Sequence, residues 1–332
     1  MKSVYGVSPT LNEIFSLVEV DLQKVELSLK ANAGSALPLV NDINGYLHDS
    51  GGKRFRPLLL LLCSKMCDAE DDPAVRLSVV IELIHVATLV HDDIIDNAGV
   101  RRGRPSVNAK WGNQVTVLMG DWLYMTSFSL ALELRDFRIL DLLIDITRGM
   151  VEGELLQLQQ QGGTDISADE QLDICHRKTA HLFSGCGRLG AILGNVDLNK
   201  EKRLEAYGHA VGMAFQLIDD LLDYNSDEDT LGKPVLKDLE EGKTTLPIIY
   251  LLQRADSAEQ EFIRGVVANQ DFTPENKRKI IELVHSYGTL EDVVHLATEY
   301  SLQAKQALSD FPDSIYREAL LRFPEFVIDR KR

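Results

Sequence analysis

Apolar residues recur at intervals of three and four positions through most of the chain, which is the spacing of one face of an α-helix. Two clear series are Leu77, Val80, Ile81, Ile84 and Thr88, and Leu204, Tyr207, Val211, Phe215 and Ile218. No convincing stretch alternates apolar and polar residues as a half-buried strand would. The pattern therefore predicts an all-helical protein without a nucleotide-binding sheet.

The segments between these series are typical of helix boundaries. Asp72-Pro73 places a capping side chain before a proline at the first helical position. Ser167 and Glu170 form a capping-box pattern. No Pro/Gly/Ser-rich linker and no internal repeat divides the chain. We therefore expect residues 1–332 to form a single domain of roughly ten or more helices, given a mean helix length of about 11 to 12 residues.

Composition and charge narrow the function. Hydrophobic residues make up 45% of the 332 residues and charged residues 26%, which is ordinary globular usage. The formal net charge of −16 argues against nucleic acid as a partner, because that binding depends on Lys and Arg contacts to phosphate. The four cysteines show no disulfide or zinc pattern. The longest apolar run, Leu58 to Cys63, is too short to span a bilayer and no signal peptide is evident, so we expect a cytoplasmic protein without a transmembrane segment.

Candidate chemistry begins with an aspartate motif that occurs twice. HDDIID at residues 91–96 and DDLLD at residues 219–223 space aspartates one helical turn apart, about 6 Å along the axis. One such motif is common on a solvated helix end, but both copies lie in apolar sequence. Gathered carboxylates repel one another unless a divalent cation compensates, and Mg²⁺ prefers oxygen ligands, so we predict one magnesium site on which both motifs converge. The predicted ligands are Asp92, Asp93, Asp96, Asp219, Asp220 and Asp223.

Two clusters of basic residues are the second candidate feature, because cations near a metal site would contact a metal-bound phosphate group. GGKRFRP at residues 51–57 offers a flexible turn, backbone N–H groups at a predicted helix start and cations in the next turn. RRGRP at residues 101–105 comes just after the first aspartate motif. Arg104 is most simply a partner of the helix dipole. The other cations indicate oxyanion binding, because arginine forks match phosphate geometry; they are Lys53, Arg56, Arg101 and Arg102.

These motifs together resemble one enzyme family. In chain order, GGKRFRP, HDDIID, RRGRPS, KTA at residues 178–180, FQLIDDLLD, GK at Lys233 and EGKTTLP resemble the trans-isoprenyl diphosphate synthases. The resemblance covers about residues 45–250 and is nearest to the bacterial octaprenyl diphosphate synthase-like members. It implies an all-α fold, a single large orthogonal helical bundle around a central cavity. It also implies a homodimer formed through helices.

The resemblance implies a role for each matching residue. Magnesium ions on the diphosphate of an allylic substrate would be held by Asp92, Asp96 and Asp219, supported by Asp93, Asp220 and Asp223. Further contacts to that diphosphate would come from Arg101, Lys178, Lys233 and Lys243. Isopentenyl diphosphate would be bound by Lys53, Arg56, His85 and Arg102. The positions near the allylic carbocation are Thr179 and Gln216.

The implied reaction is loss of the whole diphosphate from the allylic substrate, which gives a carbocation that the double bond of isopentenyl diphosphate attacks. The departing diphosphate would then remove a proton, so no side-chain nucleophile is needed. Metal ions and cations would stabilise the leaving group, and apolar surroundings would exclude water.

Product length is predicted from Ala87 and Thr88, one turn before Asp92 on the wall along which a prenyl tail would grow. Short-chain members of the family place bulky aromatic residues here, whereas both of these side chains are small. Phe128, on the following helix, is the candidate floor. By resemblance we predict a product of hexaprenyl to octaprenyl length, with geranylgeranyl diphosphate as the alternative.

Other functions fit parts of the pattern. A metal-dependent His-Asp phosphohydrolase would use His85, His91 and an aspartate, but it leaves the second motif and GGKRFRP unexplained. A terpene cyclase would need no isopentenyl site. A non-catalytic subunit of a heteromeric synthase should lose aspartates, and this chain keeps all six. By residue type alone, the preferred interpretation of His91 is a core histidine, and for His85 it is the resemblance that favours substrate contact over the same role. Lys237 and Asp238 are equally well explained as a solvated pair.

Overall fold

Helices account for most of the described chain. The computed structural model describes residues 10–32, 34–224 and 235–329, and over these ranges the all-α prediction is confirmed. The first helices are α1 (Leu11–Ser16), α2 (Glu19–Asn32), α3 (Pro38–Asp49), α4 (Phe55–Met66), α5 (Asp71–Ile95), α6 (Val107–Trp111), α7 (Asn113–Leu132) and α8 (Phe137–Gln160). They are followed by α9 (Ala168–Cys175), a π-helix (His176–Ala180), α10 (His181–Leu193), α11 (Leu198–Leu222), α12 (Lys237–Glu240), α13 (Leu246–Arg254), α14 (Ser257–Asn269), α15 (Pro274–Ser286), α16 (Thr289–Ala307) and α17 (Ile315–Asp329).

The described residues divide into two compact units. Unit 1 takes them from Met1–Thr147, Gly185–Glu205 and Asp310–Arg322, and unit 2 takes them from Arg148–Ser184, Ala206–Ser309 and Phe323–Arg332. The first aspartate motif therefore belongs to unit 1 and the second to unit 2. The single domain over residues 1–332 stays a prediction, as does the convergence of the two motifs.

Helix α5 is the main core helix of unit 1, where it packs against α2, α4 and α7. Its buried residues are not confined to one face, and Leu77, Ile81 and Ile84 are all fully buried. A helix that is apolar all round is expected to be enclosed by other elements. This enclosure fixes the direction of the carboxylates that its last turn carries.

The two helix starts predicted from capping residues agree with the structure to within two residues. Helix α5 begins at Asp71 rather than at Pro73, because Asp71 and Asp72 occupy its first turn, where the helix dipole favours carboxylates. The predicted capping box is present at the start of α9, where Ser167 and Glu170 satisfy each other's backbone N–H groups.

A two-stranded antiparallel ribbon follows α5 in sequence, consisting of β1 (Val100–Arg101) and β2 (Arg104–Pro105). The two residues of its turn, Arg102 and Gly103, have φ angles of 52° and 74°, which is the pattern of a type I′ hairpin turn. The sequence predicts only a basic loop here. Two-residue strands are too short to show an alternating pattern, so the ribbon was not visible in the sequence.

In unit 2, α11 can approach the π-helix closely because a glycine lies at the contact. A Cβ on Gly212 would lie 2.5 Å from the Cα of Ala180, and one on Gly153 of α8 would lie 2.7 Å from the Cβ of Arg177. Real Cβ atoms do not approach this closely, so both positions require glycine. The π-helix, which carries Lys178 and Thr179, is therefore clamped between α8 and α11.

Two helices of the described chain, α5 and α7, are long and apolar enough to cross a membrane by length and composition. In α5, 67% of the most apolar window is buried inside the protein, which is typical of a core helix. In α7 only 33% of that window is buried, and Leu118 and Met125 are exposed. Helix α7 therefore presents an apolar surface outside the core of unit 1.

Candidate functional site

The first aspartate motif lies at the end of α5 in unit 1, and its three carboxylates differ in environment. Asp93 is 2% exposed, and its Oδ1 accepts a hydrogen bond from Arg101 Nε at 2.5 Å. Asp92 and Asp96, one helical turn apart, are only partly buried. Asp93 thus orients Arg101, whereas solvent reaches Asp92 and Asp96, which suits a pair of metal ligands.

His85 lies on α5, and a cluster of arginines from other segments surrounds it. Burial, followed by four neighbouring arginines, holds the pKa of His85 well below its usual value. In order of effect, these arginines are Arg56, Arg102, Arg101 and Arg54. The imidazole is therefore neutral at pH 7. The structure thus brings together His85, Arg56 and Arg102, three of the four residues predicted to bind isopentenyl diphosphate. The fourth, Lys53, is exposed and lies three residues before Arg56 in the GGKRFRP motif.

Arg54 supports this cluster from behind. It precedes α4 in the left-handed conformation, with φ of 53°. Its guanidinium is hydrogen-bonded to Glu26 and, through Nη1, to Glu82 Oε1 at 2.5 Å. Glu82 is 3% exposed, so this ion pair is largely buried. The sequence does not predict this structural role. Arg54 lies in the GGKRFRP motif between Lys53 and Arg56, both predicted to bind phosphate, and its acidic partners are distant in sequence.

The predicted wall for the prenyl tail lies in unit 1, where α5 faces α7. Ala87 is fully buried, and Thr88 is partly buried, its hydroxyl donating to a backbone carbonyl of the preceding turn at 2.7 Å. On α7, burial raises the pKa of Tyr124, and the nearby charge of Asp92 raises it further. Phe128 follows Tyr124 by one helical turn and is partly buried. Tyr124, which the sequence did not single out, therefore lies between the level of Asp92 and the predicted floor.

The second aspartate motif lies at the end of α11 in unit 2. Asp219 is exposed, whereas Asp220 is 6% exposed and accepts a hydrogen bond from Gln216 Nε2 at 2.6 Å. Both carboxylate oxygens of Asp223 accept backbone N–H groups at the start of α12, at 2.9 and 3.0 Å. Asp223 thus caps α12, and Asp219 is the aspartate of this motif that solvent reaches most readily.

Asp238 lies close to this motif and was not predicted as part of it. Burial, followed by the charge of Asp223, raises the pKa of Asp238 to about 7. Burial, followed by the charge of Asp238, raises the pKa of Asp220 well above its usual value. Lys237 instead pairs with Glu241 at 2.9 Å, so the interpretation of Lys237 and Asp238 as a solvated pair does not hold for Asp238. Several carboxylates in one partly buried region favour a compensating divalent cation.

Thr179 and Gln216 form one hydrogen-bonded chain with this motif. Thr179 Oγ1 donates to Gln216 Oε1 at 2.6 Å, and Gln216 Nε2 donates to Asp220 Oδ1. Thr179 lies in the π-helix, a rare conformation that is frequent at functional sites. A five-residue π-helix leaves no periodic trace in a sequence, so the KTA motif marks the residues without revealing their backbone.

The predicted lysines of unit 2 have acidic or amide partners. Lys178 Nζ lies 2.5 Å from Glu154 Oε2 and donates to Gln157 Oε1 at 2.6 Å, both on α8. Lys243 Nζ lies 2.9 Å from Glu241 Oε2. Lys233 lies outside the described residues. A diphosphate bound by Lys178 or Lys243 would therefore share each ammonium with a protein acceptor.

The carboxylates fit a magnesium ion that is bound together with a phosphorylated ligand. Within the parts of the chain that the structure describes, no three His, Cys, Asp or Glu side chains form a group that could hold a metal by themselves. Magnesium commonly takes one or two carboxylates and completes its shell with water and substrate phosphate oxygens. Asp92 with Asp96, and separately Asp219, suit that mode.

Comparison with known proteins gives consistent matches over nearly the full length. A family model described as polyprenyl synthetase matches residues 37–284. The all-trans-nonaprenyl-diphosphate synthase (geranyl-diphosphate specific) of Rhodobacter capsulatus is 38% identical, over 96% of this chain and 97% of that protein. The octaprenyl diphosphate synthase of Haemophilus influenzae is 33% identical, over 97% of each chain. A polyprenyl synthase from Caulobacter crescentus CB15, solved in complex with calcium and isoprenyl diphosphate, has a TM-score of 0.92 at 34% identity, over 98% of this chain and 99% of that one.

Proposed function

The chain belongs to the polyprenyl synthetase family, and from that premise we propose that it condenses isopentenyl diphosphate head-to-tail with an allylic diphosphate. It is a trans-prenyltransferase that makes a medium-to-long polyprenyl diphosphate. The structural observation that carries the proposal is the gathering of Arg56 and Arg102 around His85, which lies on the helix that bears the first aspartate motif. A basic pocket beside paired carboxylates suits two diphosphate substrates, one bound by cations directly and one through metal ions.

In unit 1, the arginine cluster binds the diphosphate of isopentenyl diphosphate. Arg56 and Arg102 supply charge and planar donors, and neutral His85 supplies one further hydrogen bond. Lys53 completes this group. Arg101, which Asp93 orients, binds the diphosphate of the allylic substrate and stabilises the negative charge of that diphosphate as it departs.

In unit 2, Lys178 and Lys243 bind the allylic diphosphate, with Lys233 as a further predicted contact. The Thr179–Gln216 pair presents polar oxygens near the carbon that becomes positively charged. Oxygen dipoles aimed at developing positive charge stabilise it without forming a covalent bond. The departing diphosphate is the base that takes the proton, so no side chain of this protein is required to do so.

Magnesium is the proposed cofactor. When bound, it neutralises diphosphate charge and polarises the bond that breaks. Asp92, Asp96 and Asp219 would contact it, while Asp93, Asp220 and Asp223 would hold the surrounding structure through Arg101, Gln216 and α12 respectively. The calcium and isoprenyl diphosphate of the Caulobacter crescentus polyprenyl synthase support a divalent ion in this family.

The proposal is tested by incubating the purified protein with isopentenyl diphosphate, magnesium and each allylic primer in turn, then measuring product length by chromatography. Chain growth should require both a primer and the metal, stop on addition of EDTA, and return with excess magnesium. Release of inorganic phosphate without chain growth would instead establish a phosphohydrolase, and consumption of the allylic substrate alone would establish a cyclase.

The structure gives the phosphohydrolase little support. That enzyme would need His85 and His91 to share a metal with an aspartate. His91 Nε2 instead lies 3.1 Å from the carbonyl oxygen of Val117 on α7, and His85 lies among arginines, whose charge disfavours a cation. A non-catalytic subunit remains the other alternative, and the activity of the isolated chain decides that question directly.

Product length is proposed to lie between hexaprenyl and octaprenyl, because the wall at Ala87 and Thr88 is lined by small side chains. Geranylgeranyl diphosphate is the less favoured alternative, since the similar proteins named above make longer products. On this proposal the prenyl tail passes Tyr124 and is stopped at Phe128.

Replacing Thr88 with Phe should shorten the main product, because the aromatic ring would block the tail one turn below Asp92. Replacing Phe128 with Ala should lengthen it by at least one isoprene unit. Chromatography of the dephosphorylated products measures both changes. If neither substitution shifts the product while total turnover persists, the tail does not follow the α5–α7 wall.

A homodimer in the cytoplasm is also proposed, and the exposed apolar residues of α7 and α8 support it. On α7, Leu118 is 68% and Met125 64% exposed, seven residues apart. On α8, exposed apolar residues also recur every seven positions, at Phe137, Ile144, Val151 and Leu158. Apolar repeats at this spacing favour side-by-side packing of helices from two chains.

Replacing Leu118 with Asp should convert the wild-type dimer into a monomer in sedimentation or light-scattering measurements at micromolar concentration. Leu198→Asp is the matched control, because Leu198 is 72% exposed on α11. A wild-type monomer that co-floats with lipid vesicles would show that α7 meets a membrane rather than a second chain, and would overturn the dimer.

A further inference from the structure

The ribbon β1–β2 carries Arg102 at its tip and has little stability of its own. Even longer two-stranded hairpins are at best marginally stable alone in water, and each strand here has two residues. Arg102 is held in the left-handed conformation, and burial together with the charges of Arg54 and Arg101 lowers its pKa. The position of the Arg102 guanidinium therefore depends on contacts outside the ribbon.

Strand β1 is anchored to α5. Arg101 Nε donates to Asp93 Oδ1 at 2.5 Å, and Asn108 Nδ2 donates to the backbone carbonyl of Asp93 at 3.0 Å. Ser106, just after β2, donates through its hydroxyl to the carbonyl of Ala98 at 2.5 Å. These contacts tie the base of the ribbon to the end of the helix that bears the first aspartate motif.

Tyr46, an aromatic residue of α3, anchors strand β2. Tyr46 Oη donates to the carbonyl oxygen of Pro105 at 2.7 Å. Arg104, on the same strand, places its guanidinium 4.3 Å from the centre of the Tyr46 ring. Lys110 lies 4.2 Å from the same ring, and Trp111 meets it edge to face at 5.1 Å. Cation–π contacts of this kind add to the hydrogen bond.

We propose that Tyr46 is a positioning residue that fixes the β1–β2 ribbon, and with it Arg102, in the geometry that binds isopentenyl diphosphate. The inference deepens the proposed function and rests on it for the identity of the ligand. It assigns a role to Tyr46, and to Arg104 as its cation–π partner on β2. Arg104 therefore acts through the ribbon rather than through a helix dipole.

Replacing Tyr46 should weaken the binding of one substrate, isopentenyl diphosphate. Arg101 is held by Asp93 whether or not Tyr46 is present, whereas Arg102 at the tip depends on both strands being held. Replacing Tyr46 with Phe removes the hydrogen bond to Pro105 and keeps the ring. The KM for isopentenyl diphosphate should then rise about 3- to 10-fold, the equivalent of one lost hydrogen bond. The KM for the allylic diphosphate and kcat should change less than about twofold. Replacing Tyr46 with Leu, which also removes the cation–π contacts, should raise the same KM further.

The experiment compares steady-state kinetics of the wild type, Tyr46→Phe and Tyr46→Leu. Tyr287→Phe is the matched control, because it removes a tyrosine hydroxyl that donates to Glu259 at 2.6 Å in unit 2. Hydrogen exchange of the peptide covering residues 98–106 provides a second readout, and it should be faster in both Tyr46 variants and unchanged in the control.

The outcomes separate this inference from the proposed function. Prenyl transfer by the wild type with an unchanged KM for isopentenyl diphosphate in both Tyr46 variants would overturn the inference alone. A general fall in kcat and in the affinity for both substrates would show a merely structural role and would overturn it too. If the wild type catalyses no prenyl transfer, the proposed function fails, and unchanged exchange over residues 98–106 would then reject the anchor as well.

Discussion

Replacing Asp92 with Asn should lower kcat at least about 10²- to 10³-fold, which is the usual cost of removing one group that stabilises the charge of a transition state. The substitution keeps the size of the side chain and removes the charge that a magnesium ion requires. Asp92 is partly exposed in the last turn of α5, so the free energy of unfolding should change by less than about 0.5 kcal/mol. Steady-state kinetics, at a magnesium concentration that saturates the wild type, measure kcat, and urea denaturation measures the free energy of unfolding.

The neighbouring residue provides the control. Asp93→Asn also removes one carboxylate charge, but from a residue 2% exposed that holds Arg101. The substitution weakens the contact that Asp93 makes with Arg101. Because Arg101 is about one-third exposed, water can replace part of that contact, and the free energy of unfolding should fall by about 1 to 3 kcal/mol. Raising the magnesium concentration should partly restore the activity of Asp92→Asn but not that of Asp93→Asn. If both variants lose stability equally, or if magnesium rescues neither, the assignment of Asp92 to the metal and Asp93 to the ribbon is wrong.

Replacing Glu82 with Ala should lower the free energy of unfolding by about 3 to 5 kcal/mol, because it leaves the Arg54 guanidinium buried without its inner partner. The Glu82 side chain is 4% exposed and that of Arg54 is 13% exposed, so water compensates little for the lost ion pair. The arginine cluster around His85 would also gain an uncompensated positive charge. The midpoint of urea denaturation, at an unchanged slope, measures the loss of stability.

Glu26→Ala is the matched control, because Glu26 pairs with the same guanidinium from the outside. Its side chain is 38% exposed, so water can replace it, and the free energy of unfolding should fall by only about 1 kcal/mol. Equal losses for Glu26→Ala and Glu82→Ala would show that burial does not decide the strength of these contacts. A Glu82→Ala variant as stable as the wild type would show that Arg54 finds another acceptor.

Local patterns in the sequence predicted the elements that depend on local interactions. The three- and four-residue apolar spacing in α5 and α11 specifies a helix wherever it occurs, and the capping box of Ser167 and Glu170 acts within four residues. The spacing of Asp92 and Asp96 places their carboxylates on one face of a helix without any knowledge of the fold. The ordered motifs indicated the family and its reaction, because each motif is a short, contiguous segment with its own residue types.

Contacts between distant segments decided what each charged residue does. HDDIID shows three aspartates of equal standing, yet burial and Arg101 separate Asp93 from Asp92. GGKRFRP shows three equivalent cations, yet Glu82 from α5 withdraws Arg54 from the surface. Asp238 is distant in sequence from the DDLLD motif and joins it only because α12 is capped by Asp223.

By itself the sequence determined the helical fold, the family and the residue types of the site, since these follow from periodicity and from short motifs. Only the tertiary structure decided which carboxylates are buried and paired, how Thr179 reaches Gln216, and how Tyr46 holds the ribbon. The physical reason is that ionic interactions and hydrogen bonds depend on distance and on burial. Both quantities are set by how helices pack, and packing brings together residues whose separation along the chain carries no signal.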